Sequence, residues 1–258
     1  MITLGELTAL AERDGVDAKT VERDYIICHV MASIAESRAG EILQFKGGTA
    51  IRLCHEPSYR YSADIDLNVL GVAEPEALAA ISQALLRCSE RIDLLTVRLS
   101  SDGRIIQYVG PTGGVRRGIK LDLNSDEYIA HPDHRAQIFT RYSDQEADGQ
   151  TLLVYSTDEI LAEKFCCVMQ RLQCRDLYDI WWLTQNRRSD AVTAAELFMM
   201  KARHRRLEPS AFGTRFRARA VQYRERWSDE LDSYMSHPPD VDRVLREVER
   251  TFRNAGLI

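Results

Sequence analysis

Residues 63–70 read Ala-Asp-Ile-Asp-Leu-Asn-Val-Leu, with apolar and polar side chains alternating as far as Val69. That period of two belongs to a β-strand, because successive side chains on a strand point to opposite faces. Ile65, Leu67 and Val69 therefore point one way, and Asp64, Asp66 and Asn68 the other. Such a strand needs a sheet to pair with and a hydrophobic layer on one side. It also sets two carboxylates side by side on the face left polar.

Around this strand the pattern is mixed. Leu4–Asp14 reads as a short amphipathic helix ending near Gly15. A second helix, capped by Asp17 or Thr20, runs to about residue 37, with Val21, Tyr25, Ile26, His29, Val30 and Ile34 at helical spacing. Residues 42–45 form a short apolar run that stops at a glycine pair, as a buried strand would, and residues 49–55 read as a helix leaving that turn. Glu74–Arg91 is helical in pattern. Residues 94–99, 104–109 and 117–123 read as strands, the last two separated by Gly110-Pro-Thr-Gly-Gly114. The polar, acidic stretch 140–150 reads as a loop or lobe boundary, and from residue 157 onward the periodicity is helical. The expected fold is α/β in the α+β sense: a small mixed sheet with flanking helices in a first lobe, residues 1–140, and a helical C-terminal lobe, residues 151–258.

Composition narrows the function classes. With 45% hydrophobic and 28% charged residues, the 258-residue chain is an ordinary globular one. No apolar run approaches the roughly 20 residues that span a bilayer. The N-terminus carries neither a basic n-region nor a signal-like core, so no membrane partner is expected and the expected location is the cytoplasm. The six cysteines form no Cys-x-x-Cys pair, which argues against a zinc site or a disulfide framework. A net charge of -5 argues against a protein generally coated with nucleic acid. Within residues 201–226, however, nine Lys or Arg meet only two Glu. A local basic stripe of that kind steers a polyanion to one face, though it reads equally well as a solvated helix surface.

The chemistry-bearing residues come in a particular order. Gly47 and Gly48 follow a strand and precede a helix. Glycine lets a backbone approach a phosphate closely, and the helix start presents unpaired N–H groups. Thr49 adds a hydroxyl. A tight strand–helix turn needs no ligand, so this triplet alone decides little. Asp64 and Asp66 share a strand face and repel each other unless a cation lies between them. Mg²⁺, which takes carboxylate oxygens together with substrate phosphates, is the usual answer, and a solvent-facing polar edge is the plain one. Asp122, between Leu121 and Leu123 on another expected strand, is placed to share that face as a third metal ligand or a base, and taken alone it reads equally well as a surface aspartate on an alternating strand. Downstream, helical geometry would put Lys164, Val168, Arg171 and Arg175 on one stripe. Three cations there call for an anionic ligand, or for Asp176 and Asp179, to relieve them.

Taken together, Phe45-Lys-Gly-Gly-Thr-Ala-Ile-Arg-Leu followed by Arg60-x-Ser62-x-Asp64-Ile-Asp66-Leu resembles the first motif of the AbiEii/AbiGii nucleotidyltransferase toxins, which include the MenT-type toxins, in the DNA-polymerase-β-like superfamily. Asp158-Glu-Ile-Leu-Ala-Glu163-Lys164-Phe with Arg171-Leu-Gln-Cys-Arg175-Asp176-Leu-Tyr-Asp179 resembles a second motif. Val21-Glu-Arg-Asp24-Tyr25 is a weaker third match. The similarity covers roughly residues 5–185.

The resemblance implies transfer of a nucleotide from an NTP to an acceptor. Asp64, Asp66 and Asp122 would bind Mg²⁺ or Mn²⁺, and Lys164 and Asp176 would join them as catalytic residues. Lys46, Gly47, Gly48, Thr49, Arg52, Ser62, Lys164 and Arg171 would hold the nucleotide, with the helical lobe supplying Lys164 and Arg171 across a cleft. The implied acceptor is RNA, most plausibly the tRNA 3′ end, with translation blocked as the result. Lys201, Arg203, Arg205 and Arg206 would bind it. A separately encoded antitoxin is implied by the same analogy. Transfer to a small molecule or to a protein is the competing enzymatic reading. A non-catalytic RNA- or partner-binding module on the same scaffold is the non-enzymatic one.

Overall fold

The structure is a computed structural model that describes residues 1–92, 97–139, 141–145 and 149–258. The chain divides into two compact units, Met1–Asp126 with Pro132–Tyr155, and Glu127–His131 with Ser156–Ile258.

The first unit opens with helices α1 (Leu4–Asp14), α2 (Ala18–Ala35) and the single turn α3 (Ala39–Ile42). Strand β1 (Leu43–Lys46) leads into α4 (Gly47–Ala50), which continues as a π-helical turn over Ile51–His55. Strand β2 (Asp64–Val69), helix α5 (Glu74–Arg91) and strands β3 (Arg98–Leu99), β4 (Ile105–Tyr108) and β5 (Arg117–Asn124) follow. The short strands β6 (Arg135–Gln137) and β7 (Thr151–Leu153) pair as a hairpin. The main sheet has the order β1-β2-β5-β4-β3 and is mixed: β2 and β5 run parallel, and every other pair is antiparallel. Of the strand expected at 94–99, residues 94–96 lie outside the described residues.

Local sequence explains the helix ends. Thr3 and Glu6 form a reciprocal capping box on α1, and Gly15 closes it at φ 64°. The Asp17 carboxylate accepts from the Lys19 N–H to start α2. That helix is buried over most of its length, including Glu22 and Asp24. Buried carboxylates need partners. Glu22 pairs with Arg117 and accepts the Thr112 N–H at 2.7 Å, while Asp24 pairs with Arg52 and accepts from the Tyr142 hydroxyl at 2.7 Å.

The chain divides after Tyr155 and not within the stretch 140–150 expected as the boundary. The hairpin of β6 and β7 holds residues on either side of it in the first unit. Tyr155 extends the tie, because its N–H donates to the Phe45 carbonyl at 2.9 Å and its hydroxyl accepts from Asn68. Glu127–His131 leave the first unit for the second, where the Ala130 N–H donates to Glu159 at 2.8 Å.

The second unit is helical: α6 (Thr157–Gln170), α7 (Cys174–Gln185), α8 (Ala191–His204), α9 (Phe212–Ala218), α10 (Ala220–Leu231) and α11 (Val241–Asn254). Its core is an edge-to-face aromatic cluster of Phe165, Phe198, Phe212 and Phe252, all fully buried, with ring centroids 4.8 to 6.2 Å apart. Among the described residues no helix is long and apolar enough to cross a membrane.

Candidate active site

Strand register builds the acidic face of the first unit. Between parallel β2 and β5, Asp64 lies opposite Lys120 and Asp66 opposite Asp122. Partners on adjacent strands project from the same face, so the four side chains form the corners of a square. The opposite face carries Ile65, Leu67 and Leu121, all fully buried. Asp64 and Asp66 are half-buried. Asp122 is half exposed, and its carboxylate lies 2.6 Å from the Lys120 ammonium. That hydrogen bond, with the fields of Asp122, Asp64 and Asp66, holds Lys120 above the ordinary lysine pKa. Lys120 was not among the residues expected at the site, although the same alternation that places Asp122 on this face in Lys120-Leu121-Asp122 places the lysine there too.

The glycine turn abuts this square. Gly47 adopts φ +78°, a left-handed conformation that side chains disfavour. A Cβ at Gly47 would lie 2.4 Å from Asp66 Oδ2. The bare backbone is therefore what lets the turn close on the carboxylate. Thr49 is buried, and its hydroxyl donates to the Asp64 carbonyl at 2.5 Å. This corrects the expectation for Thr49. The hydroxyl ties the turn to the acidic strand and is not presented to a phosphate.

Carboxylate oxygens in this arrangement suit a hard divalent cation such as Mg²⁺ or Mn²⁺. Asp64 and Asp66, two residues apart on β2, project from one face. Among the described residues no three His, Cys, Asp or Glu are drawn round a common point, since Asp122 is turned to Lys120. Asp64 and Asp66 on β2, with Asp122 beside Asp66 on β5, are the residues that would hold such an ion.

Three further expected nucleotide ligands are placed differently from one another. Arg52 is buried, with Nε 2.6 Å from Asp24 Oδ1, another N–H on the Tyr59 carbonyl, and its guanidinium 3.7 Å from the Tyr61 ring centre. Its donors are used inside the unit, which corrects its assignment to the nucleotide. Lys46 is opposite Asp66 in the β1–β2 register, nine-tenths buried, with its ammonium 5.8 Å from the Tyr155 ring centre. Ser62 is buried in the extended segment just before β2.

In the second unit the expected cation stripe does not exist. Helix α6 stops at Gln170, Arg171 is extended at φ -140°, ψ 166°, and Arg175 belongs to α7. The helix ends there because arginines from far along the chain take its last carbonyls: Arg215 donates to Met169 at 2.8 Å, and Arg219 donates to Val168 and, at 2.6 Å, to Arg171. Lys164 is buried between Asp176 and Asp179, 2.8 Å from each. Arg171 Nε reaches Asp176 at 2.8 Å. Burial would raise the Asp176 pKa, but Lys164 and Arg171 outweigh it and lower it to about 2. Arg175 instead covers the Tyr234 ring at 4.9 Å.

The basic run 201–226 is likewise not a continuous surface stripe. Lys201 is fully buried, 3.1 Å from Glu159 and 2.7 Å from the Tyr128 carbonyl. Arg205 pairs with Glu127 at 2.8 Å and Glu163 at 2.6 Å. These two cations hold Glu127–His131 to the helical unit, which corrects their assignment to RNA. Arg203 and Arg206 are exposed.

Residues 29–254 match the family model described as nucleotidyl transferase AbiEii toxin, type IV TA system. Among solved structures, MenT4, the nucleotidyltransferase toxin Rv2826c from Mycobacterium tuberculosis H37Rv, superposes with a TM-score of 0.73 at 17% identity, over 99% of this chain and 90% of its own. An antigenic nucleotidyltransferase-like protein from Paracoccidioides brasiliensis aligns at 18% identity and TM-score 0.42, over 84% of this chain and 94% of its own. No curated protein sequence matches the chain.

Proposed function

The chain belongs to the AbiEii family of nucleotidyltransferase toxins of type IV toxin–antitoxin systems, and from that premise we propose that it transfers a nucleoside monophosphate from an Mg²⁺-bound NTP to the 3′ end of an RNA, tRNA first, and thereby arrests translation in the cytoplasm. Family membership makes it a nucleotidyltransferase and implies an NTP substrate and an antitoxin partner.

The observation that carries the reading is the square of Asp64, Asp66, Lys120 and Asp122 with the Gly47 backbone against Asp66. In the transfer, an acceptor hydroxyl oxygen forms a bond to the α-phosphorus while the bond from that phosphorus to pyrophosphate breaks. A bound Mg²⁺ supplies charge neutralisation at the leaving oxygen and acidifies the attacking hydroxyl. Asp64 and Asp66 hold the cation, and Asp122 joins them or accepts the hydroxyl proton. Gly47 and Gly48 keep side chains out of the way of the triphosphate. Within the second unit Asp176 and Asp179 fix the Lys164 ammonium in position, and the support for a nucleotide-binding role of Lys164 and Arg171 is their place in the family motif.

The RNA acceptor is supported by the toxin family and by the exposed Arg203 and Arg206. A second reading, transfer to a protein side chain or a small molecule, gains from the use of Lys201 and Arg205 in internal ion pairs, which leaves less of the basic run to attract a polyanion.

One assay separates these readings. The protein is incubated with Mg²⁺, total tRNA and each α-³²P-NTP in turn, with Asp64→Ala as the control. A labelled band of tRNA size that disappears in Asp64→Ala supports RNA transfer and identifies the nucleotide. Label on protein moves the acceptor to a side chain. Label that persists in Asp64→Ala removes that residue from the reaction.

A further inference from the structure

Lys120 is the one basic corner of an otherwise acidic square. It projects from the same sheet face as Asp64, Asp66 and Asp122, directly across the register from Asp64 and two residues before Asp122 on its own strand. Its ammonium meets the Asp122 carboxylate at 2.6 Å, and both side chains are at least half exposed, 61% and 50%. An exposed pair of this kind is weak and readily exchanged. Lys46 on β1 lies across from Asp66 on the same face but is buried, whereas the exposed Lys120 offers Asp122 a compact charge on a flexible four-carbon stem. The stem is rooted in β5, and its length lets the ammonium swing.

We propose that Lys120 is a built-in counter-ion of Asp122 in the metal-free site, displaced by the incoming divalent cation and then available to the triphosphate that arrives with it. This rests on the reading of Asp64 and Asp66 as metal ligands. It adds a regulatory consequence: metal alone binds against competition from the lysine, whereas metal with nucleotide gives the displaced ammonium a new anionic partner. The site would therefore favour the metal–nucleotide complex over the free metal. The occupant recognised by Lys120 is a polyphosphate oxygen, matched by charge and by the three donors of an ammonium.

The test uses the full-length protein and Mn²⁺, which takes the same oxygen ligands. Binding of Mn²⁺ without nucleotide is followed by the EPR signal of the free ion in wild type, Asp64→Ala, Lys120→Ala and Lys120→Arg. Affinity for a non-hydrolysable NTP analogue is then measured at saturating Mn²⁺. Lys120→Ala is expected to bind Mn²⁺ alone about two- to fivefold more tightly and the analogue more weakly. Lys120→Arg stays near wild type in both. Either an unchanged Mn²⁺ affinity or an unchanged analogue affinity in Lys120→Ala overturns the proposal. If wild-type Mn²⁺ binding does not depend on Asp64, the metal reading itself fails and this inference falls with it. Dependence on Asp64 without an effect at Lys120 sinks the lysine alone. The exposure of Lys120 keeps the substitution from disturbing the fold, and far-UV circular dichroism checks that it does not.

Discussion

Gly47 joins backbone conformation to chemistry in one residue. Its φ of +78° and the 2.4 Å approach to Asp66 leave no room for a side chain. Gly47→Ala is expected to cost roughly 1–2 kcal/mol from the backbone alone, and to push the Asp66 carboxylate out of place. A thermal melt should show the modest destabilisation, and nucleotide transfer should fall much further than stability does. Asp64→Asn tests the opposite balance. It removes a charge from a half-buried, polar face, so folding should survive while transfer drops by about 100-fold or more, the scale on which preorganised charge acts. Arg52→Ala should do the reverse. It strands Asp24 without its buried partner and should cost about 3–5 kcal/mol in urea denaturation. The sequence showed Asp64, Asp66 and Asp122 because strand alternation fixes which face a residue takes. It misplaced Arg52 because the partner that claims it, Asp24, lies 28 residues earlier on α2, and no local pattern links the two.

At the level of elements, legibility followed how local the cause was. Helix α1 begins and ends at signals written beside it, the Thr3–Glu6 box and Gly15, while α2 begins at Asp17 and α5 at a proline in its first turn. The break between α6 and α7 carries no Gly or Pro, and Arg171-Leu-Gln-Cys reads as continuous helix. The chain breaks there because the capping groups come from elsewhere. Arg215 and Arg219 take the carbonyls that end α6, and the Glu230 carboxylate accepts the Cys174 N–H at 2.8 Å to start α7. The break lets Arg171 turn back to Asp176, and that pairing has a pH signature. Asp176 has its pKa lowered to about 2 in the folded protein, from an ordinary value of 3.8. A depressed carboxylate contributes stability that is present above the unfolded pKa and lost as pH falls through the folded one. The contribution is about 2 kcal/mol at neutral pH, and it should fade between about pH 4 and pH 2. Urea titrations of wild type and Asp176→Asn across that window should converge at the acid end. Parallel curves would mean that Lys164 and Arg171 do not hold the carboxylate ionised.

For the whole molecule, the question is how a chain of net charge -5 meets a polyanion. Counting charges along residues 201–226 suggests a stripe, but tertiary structure sorts those cations by burial. Lys201 faces Glu159 with no solvent exposure, and Arg205 is shared by Glu127 and Glu163. These two hold a crossing segment to the helical unit, and their charge is matched by carboxylates. Arg203 and Arg206 stay in solvent, and Arg217 is exposed beside Glu249. The two groups should therefore respond differently to truncation. Lys201→Ala leaves the buried Glu159 carboxylate without its cation, though still accepting the Ala130 N–H, and should destabilise the protein by about 3–5 kcal/mol. Arg203→Ala with Arg206→Ala should leave stability within about 0.5 kcal/mol and act on RNA instead. Each phosphate that the protein no longer neutralises lowers the slope of log affinity against log salt by about 0.7 to 0.9. Filter binding of tRNA over a salt series, run with a urea melt of each variant, reads both effects at once. A shallower slope in the double variant at unchanged stability places RNA on the exposed arginines. An unchanged slope removes residues 201–206 from RNA recognition and favours an acceptor that is not a polyanion.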